Sequence, residues 1–469
     1  MGLFESLIQQ CNQRIQESTL SILGIADENV RKHLHNQISE EDGAEAFISE
    51  PVFEHTCGWQ TTDEQMIDFA DTLISREMID NLACSDKCTF PSDRNPYVHQ
   101  VKSWEHLTEK KPRSIIVTTG TGSGKTECFM IPIINDLIIE HLRIKKPLVG
   151  VRALFLYPLN ALINSQQERL DSWTSRYGAN IRFCLYNGNT EEKMSSVKIA
   201  QSERSNEILS RELLRKEPAP ILMTNATMLE YMLVRQIDSP IIKKSRDEGS
   251  LRWIVLDEAH TYVGSQAAEI SLLLRRVVQA FGKRSKDIRF IATSATIADD
   301  EGHQKLVKYL AALAGVSEEQ VEVITGKRIW DTIDESISDA ETTCEELASI
   351  EKEREVSEAR YTALCCNKQA TLLRRSFMES ATPLSLSVLM KYMRSFLNGE
   401  NQVEKQYELL KWLDLLCGTR KSELSQAFLP LRIHLFQRML HGLWCCIDPN
   451  CVSKSEHLEA WPFGTIYTK

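Results

Sequence analysis

Between Ser114 and Ala295 the chain repeats one pattern: a short, almost uninterrupted apolar run rich in β-branched residues, then a longer amphipathic stretch. The runs are "SIIVTT", "VRALFLYP", "IRFCLYNG", "PILMTN", "RWIVLDE" and "IRFIATSA". A strand with one face in water alternates apolar and polar residues, whereas a continuous run marks a strand buried on both faces, as in a parallel sheet between two layers of helices. Right-handed crossovers then predict a doubly wound α/β domain over residues 96–328. Residues 1–95 are mostly helical in pattern and end in the breaker-rich "CTFPSDRNPYV", so they read as a helical N-terminal extension. After "VEVITGKRIW" glycines and strand-like runs thin out. Helical spacing takes over, as in "EELASIEKEREVSEARYTALCC", and predicts a helical region over 329–444, with 445–469 left as a cysteine-containing segment.

Composition narrows this picture only slightly. At 469 residues and 42% hydrophobic content the chain can bury a sizeable core. Its net charge of -10 argues against coating nucleic acid by bulk charge, while leaving room for a local basic groove. No apolar run approaches the roughly eighteen residues of a membrane span. The N-terminal "MGLFESLIQQCNQRIQE" reads as a charged amphipathic helix without a signal-peptide core. It formally matches a myristoylation pattern through Gly2 and Ser6, although its apolar spacing also fits core packing. The 13 cysteines, scattered through helical segments, read as reduced thiols of a cytoplasmic protein, most of them small buried hydrophobes.

Chemistry enters at "VTTGTGSGKTECF". A predicted strand feeds Gly120, Thr121, Gly122, Ser123, Gly124, Lys125 and Thr126, and a helix follows. Glycines let the backbone turn tightly, so that amide N–H groups at the positive end of the helix can reach phosphate oxygens. Lys125 would meet the β- and γ-phosphates of ATP and the Thr126 hydroxyl would ligate Mg2+. The pattern departs from G-x-x-x-x-G-K-[ST] at its first position, which is Thr119. Such a loop needs carboxylates on a neighbouring strand. "LRWIVLDEAH" supplies them: Asp257 to hold the metal and Glu258 to orient or deprotonate the attacking water. Pro132, inside the following helix, is expected to kink it or mark its early turns.

The Asp-Glu-Ala-His run, with "TSAT" downstream, resembles the superfamily 2 helicases of the DEAD/DEAH-box kind, over roughly 96–328. The resemblance implies a RecA-like P-loop domain, with its parallel sheet between helices, flanked by the helical N-terminal extension and the helical C-terminal region. It also implies roles for particular residues. "NPYVHQVKSW" resembles the adenine-reading motif, with Gln100 for the base edge and Tyr97 beside it. His260 completes the catalytic group of Lys125, Asp257 and Glu258. "YPLNALINSQQERL" resembles a motif that touches the nucleic-acid backbone, with Asn160, Asn164 and Gln166 as candidates, and "TNATMLEYML" another, with Thr224, Asn225 and Thr227. Ser294 and Thr296 resemble the hydroxyls that couple hydrolysis to strand movement by bonding to the Asp-Glu-Ala-His segment. Singly, each short motif could be a strand end or a helix cap.

A narrower resemblance, carried by "DEAHTYVGSQAAEISLLLRRV" with "YPLNALINSQ" and "ITGKR", is to the large bacterial DEAD/DEAH-box helicases of the MrfA-like repair and phage-defence kinds. It implies DNA rather than RNA as the partner. Such motors use a second RecA-like domain, whose arginine-finger motif resembles Q-x-x-G-R-x-x-R. None follows Ser294, which is the basis for expecting this chain to be a first motor half, part of a longer or split system, whose partner is a second helicase half or a defence-system protein. The alternative is a nucleotide-binding interaction module that moves no strand. Arg275-Arg276 and Arg374-Arg375 lack the finger context. Lys243, Lys244, Arg246, Lys283 and Arg284, with Arg275 and Arg276, are either solvated helix ends or a phosphate-contacting groove. Cys446 and Cys451, flanking Asp-Pro-Asn, have the spacing of half a zinc site, which His441 or His457 could extend; an incomplete half-site is the plainer expectation. Cys84 and Cys88 form a looser pair.

Overall fold

The structure, a computed structural model, describes residues 2–39, 48–56, 58–85, 87–120, 122–158, 160–294, 300–329, 340–352, 356–380, 382–423, 425–437 and 442–467. The chain forms two compact units, Trp59–Arg328 and Met1–Gly58 with Ile329–Lys469.

The Trp59–Arg328 unit is built on seven parallel strands, the first six fed by the six apolar runs and the seventh lying beyond them: β1 Ser114–Thr118, β2 Ala153–Leu156, β3 Phe183–Tyr186, β4 Ile221–Thr224, β5 Trp253–Leu256, β6 Arg289–Ser294 and β7 Val321–Thr325. Their order across the sheet is β3-β4-β2-β5-β6-β1-β7. Side chains one apart on a strand face opposite layers. Ala153, Phe155 and Tyr157 enter one core and Leu154 and Leu156 the other, so both faces are apolar, as the runs imply. Helix α1, Val98–Thr108, precedes β1, and α2, Lys125–Ile144, follows it. Helix α2 runs on through buried Pro132 rather than ending there. Helices α3 (Asn160–Thr174), α4 (Ala226–Val234), α5 (Ser265–Ala280) and α6 (Asp300–Ala314) follow β2, β4, β5 and β6.

Because β5 and β6 lie between β1 and β2, the loops after β1, β5 and β6 open side by side at the C-terminal edge of the sheet, where ligands of open α/β folds bind. Residues 59–95, read from the sequence as part of an extension, pack in this unit. Met66, Ile74, Met78, Ile79 and Leu82 are fully buried in the same core as Phe129 and Ile133 of α2. Ser75 caps the helix Arg76–Ala83, and its backbone N–H donates to Asn135 Oδ1 of α2 at 3.0 Å.

The second unit combines helices, among them Leu3–Ile22, Lys368–Glu379 and Gln402–Gly418, with a small antiparallel sheet of Leu384–Ser385, Val52–His55 and Leu431–His434. Its core gathers Phe4, Phe53, Phe377, Trp412 and Phe428.

Candidate active site

The loop from Thr119 to Gly124 joins β1 to α2. Gly122 (φ 76°) and Gly124 (φ 69°) adopt the left-handed conformation, which a side chain would strain. A Cβ on Gly124 would also collide with the Gln100 amide. Thr119, standing where the sequence pattern has glycine, has its own use: its hydroxyl and that of Ser123 share a 2.5 Å hydrogen bond, buried across the base of the loop. Lys125 Nζ donates to the carbonyls of Thr119 at 3.1 Å and Ser294 at 3.4 Å, placing the ammonium between the loop and the end of β6. Thr126 is half-buried in the first turn of α2, and Thr121 lies outside the described residues.

Helix α1 braces this loop from behind. Gln100 Nε2 donates to the Gly124 carbonyl at 3.2 Å, and Gln100 Oε1 accepts from the Tyr97 backbone N–H at 3.0 Å. His99 Nε2 lies 2.7 Å from the Ser123 carbonyl, which requires that nitrogen to carry the proton. Burial lowers the His99 pKa, partly countered by the bond to Ser123. The ring stacks on Tyr97 (5.4 Å between centroids, 15° between planes) and meets the edge of Trp59. Arg328, at the end of the unit, lies over the Trp59 ring at 4.9 Å. Sequence patterns missed His99, Trp59 and Arg328, because only the fold brings residue 59, residue 328 and the loop together.

Directly after β5, Asp257 donates its backbone N–H to the Leu156 carbonyl at 3.1 Å, continuing the pairing with β2. Its carboxylate accepts from Thr293 Oγ1, and the same hydroxyl oxygen accepts from the Glu258 backbone N–H at 3.0 Å. Burial pushes the Asp257 carboxyl up, against the Thr293 hydrogen bond, which lowers it; Glu258 adds to the rise and Lys125 opposes it. Glu258 sits in the left-handed region (φ 51°, ψ 45°), which turns the chain sharply after Asp257. His260 Nδ1 lies 3.2 Å from Glu258 Oε2. Tyr309, on α6, donates toward the carbonyls of Ala259 and Tyr262, each at 2.9 Å, and so holds this turn against the sheet edge.

Among the described residues, the hydroxyl seen to reach the Asp257–Glu258 turn is that of Thr293. Ser294, read from the sequence for that contact, is buried and offers its carbonyl to Lys125, and Thr296 lies outside the described residues. Asn160 opens α3, with Asn164 exposed and Gln166 half-buried, its Oε1 accepting from Arg169 at 3.3 Å. Thr224 is fully buried and its hydroxyl donates to the Tyr186 carbonyl at 2.7 Å. Asn225 caps α4 by accepting from the Met228 N–H at 2.8 Å, and Thr227 is exposed in its first turn. These residues share the sheet edge that carries the loop. Of the basic candidates, Arg276 pairs with Glu230 at 3.3 Å and Arg284 with Asp287 at 2.8 Å, while Lys244 donates to the Lys216 carbonyl.

The donor set suits a nucleoside triphosphate with a hard divalent cation. An ammonium and a glycine-rich helix N-terminus stand opposite a buried carboxylate whose burial disfavours its charge, a cost that a cation would remove. Gly120 to Thr126 would hold the phosphates, and Thr126 with Asp257 the Mg2+.

In the second unit, Cys446 and Cys451 both crowd Gly464, where a Cβ would come within 2.8 Å of each cysteine Cβ. Backbone hydrogen bonds from Thr465 and Ser453 lower the Cys451 thiol pKa. Among the described residues no group of three or more His, Cys, Asp or Glu could hold a metal, and His441 lies outside them. An open cleft of about 690 Å³, lined by Gln13, Arg31, Lys32 and His457 among others, also belongs to that unit and holds none of the motif residues. Among the described residues no helix is long and apolar enough to cross a membrane.

Comparison with known proteins places this geometry. Residues 97–303 match the DEAD/DEAH box helicase family. The chain is 26% identical to the Druantia protein DruE of Escherichia coli strain UMEA 4076-1, over 80% of this chain and 27% of that protein. It is 30% identical to the uncharacterized ATP-dependent helicase YprA of Bacillus subtilis strain 168, over 43% of this chain and 23% of that one. It therefore spans about a quarter of the length of these curated relatives. Among solved structures it is similar to the DUF1998 helicase MrfA bound to DNA, at 20% identity and a TM-score of 0.40, covering 77% of this chain and 44% of that one. The chain carries a DEAD/DEAH box helicase domain, and the phosphate loop, the Asp257–His260 turn and Thr293 all fall inside the matched span.

Proposed function

We propose that this chain is an ATP-dependent motor domain acting on nucleic acid, the first RecA-like half of a helicase or translocase. The observation that carries the reading is the position of Lys125: its ammonium lies between the phosphate loop and β6, beside the strand end that bears Asp257 and Glu258. In this reading the amides of Gly120 to Thr126 bind the phosphates and Lys125 neutralises their outermost oxygens. Mg2+, when bound, would offset charge on the β- and γ-phosphates, with Thr126 and Asp257 as its protein ligands. Glu258 takes the proton of the attacking water as its oxygen bonds to the γ-phosphorus and the bond to the β-phosphate oxygen breaks. His260, beside Glu258, orients that carboxylate. Gln100 holds the loop through its buried amide, and would read an adenine edge by exchanging the bonds that Gly124 and Tyr97 make with it here.

Asn160, Asn164, Gln166, Thr224, Asn225 and Thr227 lie on the segments that would face a strand along the sheet edge. Thr224 acts there by setting the position of Asn225, since its own hydroxyl is engaged inside the sheet. Ser294 and Thr296 would report hydrolysis to that edge. DNA is the favoured partner, in repair or phage defence, on the resemblance of the Asp257–Val277 segment to MrfA-like and defence-island helicases. A second helicase half or a defence-system partner would supply the arginine finger, and the setting would be cytoplasmic.

The experiment is steady-state ATP hydrolysis by the 469-residue chain, with and without single-stranded DNA, beside Glu258→Gln. DNA-stimulated turnover that Glu258→Gln abolishes is the expected result if the chain turns over unaided. Tight Mg-ATP binding without turnover, restored when the second half is added, is the expected result if it does not. Equal ATP binding by wild type and Lys125→Ala would overturn the assignment.

A further inference from the structure

Gly326, directly after β7, and Gly120, the first glycine of the phosphate loop, both lie against the pair formed by Trp59 and Arg328. A Cβ on Gly326 would come within 2.8 Å of the Trp59 ring and 2.9 Å of Thr119 Cγ2, so the ring is seated where only a glycine leaves room. A Cβ on Gly120 would come within 2.7 Å of an Arg328 guanidinium nitrogen and 3.4 Å of the indole. Unlike Gly122 and Gly124, Gly120 does not adopt left-handed backbone, so what its missing side chain admits is the guanidinium itself. The backbone fixes this approach from two sides. The Gln60 N–H donates to the Lys327 carbonyl and the Val98 N–H to the Gln60 carbonyl, each at 2.8 Å, which holds the segment carrying Trp59 between the end of β7 and the start of α1. Trp59 is buried and Arg328 half-buried, with the guanidinium over the indole ring.

A second cation touches the same part of the loop. Lys125 Nζ donates to the Thr119 carbonyl at 3.1 Å, and that carbonyl belongs to the peptide that joins Thr119 to Gly120. The ammonium that would meet the β- and γ-phosphates and the Arg328 guanidinium therefore flank one peptide at the start of the loop. Two positive charges gathered there suit a polyanion, because they repel each other and both attract it. The guanidinium also offers paired N–H donors whose fork matches phosphate oxygens.

We infer that Arg328 is a phosphate-binding residue of the nucleotide site, seated on Trp59 and presented to the polyphosphate across Gly120. The inference rests on the nucleotide-site reading above and adds a residue to which that reading gives no role. This arginine comes from the chain itself and is separate from the finger that a second helicase half would bring.

The test is calorimetric titration of the full chain, in Mg2+, with ATP and separately with inorganic tripolyphosphate, for wild type, Arg328→Gln and Arg328→Lys. Melting temperatures are measured without ligand. In Arg328→Gln the Kd for both ligands is expected to rise about tenfold at an unchanged melting temperature, and Arg328→Lys, which keeps the charge, is expected to recover most of the loss. Unchanged affinities in Arg328→Gln would overturn the inference and leave the nucleotide site standing. Equal losses in the two variants, or a melting temperature that falls together with affinity, would assign Arg328 to packing around Trp59 and overturn it too. A loss confined to ATP, or a wild type that binds ATP but no tripolyphosphate, would place the recognition at the base and overturn the phosphate contact. Wild type that binds neither ligand would overturn the nucleotide-site reading, and this inference with it.

Discussion

Thr293 shows how much a single hydroxyl can organise. It joins the carboxylate of Asp257 to the backbone N–H of Glu258, a residue already held in left-handed backbone. Thr293→Val keeps the shape and leaves that N–H and the carboxylate without this partner, which should cost about 1–3 kcal/mol. A lower melting temperature together with reduced ATP turnover is the expected outcome, read by thermal unfolding and steady-state hydrolysis. Lys125→Ala acts on the ligand instead: loss of one charged hydrogen-bond donor should weaken ATP binding roughly 10- to 100-fold with little change in stability, as calorimetric titration would show. The two residues also differ in how readable they were. Lys125 is legible because its role depends on local spacing, two residues from Ser123 and next to Gly124. Thr293 is not, because choosing among Thr293, Ser294 and Thr296 requires knowing which side of β6 faces Asp257, and a one-residue shift along a strand reverses the face.

Helix α2 connects that chemistry to the opposite edge of the sheet. Near its C-terminal end Glu140 receives Arg152 from the start of β2 at 2.7 Å and Arg252 from the start of β5 at 2.6 Å. Arg252 also meets Asp136 at 2.6 Å, and the Trp253 indole donates to the same carboxylate at 2.7 Å. Burial alone would raise the Glu140 carboxyl, but the hydrogen bonds and charges of the two arginines outweigh it and bring the pKa down to about 2 from the ordinary 4.5. With its folded value depressed, Glu140 contributes stability above its unfolded pKa and loses that contribution as pH falls from about 4.5 toward 2. The contribution at neutral pH is roughly 3 kcal/mol, similar to the cost of breaking a buried pair. Glu140→Gln should therefore be markedly less stable than wild type at pH 7, and the gap should close in acid; denaturant unfolding at several pH values checks both. The strands themselves were legible in the apolar runs, since burial on both faces leaves few alternatives. This ionic clasp was not, because its members lie far apart along the chain and each one, taken alone, reads as a solvated charge.

At the scale of the whole molecule the sequence placed a boundary near residue 96, and the compact unit instead starts at Trp59. The misleading feature is "CTFPSDRNPYV", whose prolines and polar residues look like a linker. In the structure it is a loop folded back within the unit: the carbonyls of Ser92 and Arg94 accept from the N–H groups of Ile67 and Met66, both at 2.9 Å, and Arg94 lies over the Phe90 ring at 4.9 Å. The energetic consequence can be bounded. Met66, Ile74, Met78, Ile79 and Leu82 are each fully buried against the core that supports α2, and burying a side chain of this kind contributes about 1.5–3 kcal/mol. Together they supply on the order of 10 kcal/mol, as much as the whole net stability of an ordinary domain. A fragment of residues 96–328 should thus fail to fold, while a fragment of residues 59–328 should unfold cooperatively and bind a fluorescent ATP analogue. Circular dichroism melts and binding titrations on both decide the matter. If the shorter fragment melts cooperatively and binds nucleotide as the longer one does, the segment from Trp59 to Asn95 is an appendage to the motor domain and not part of its core.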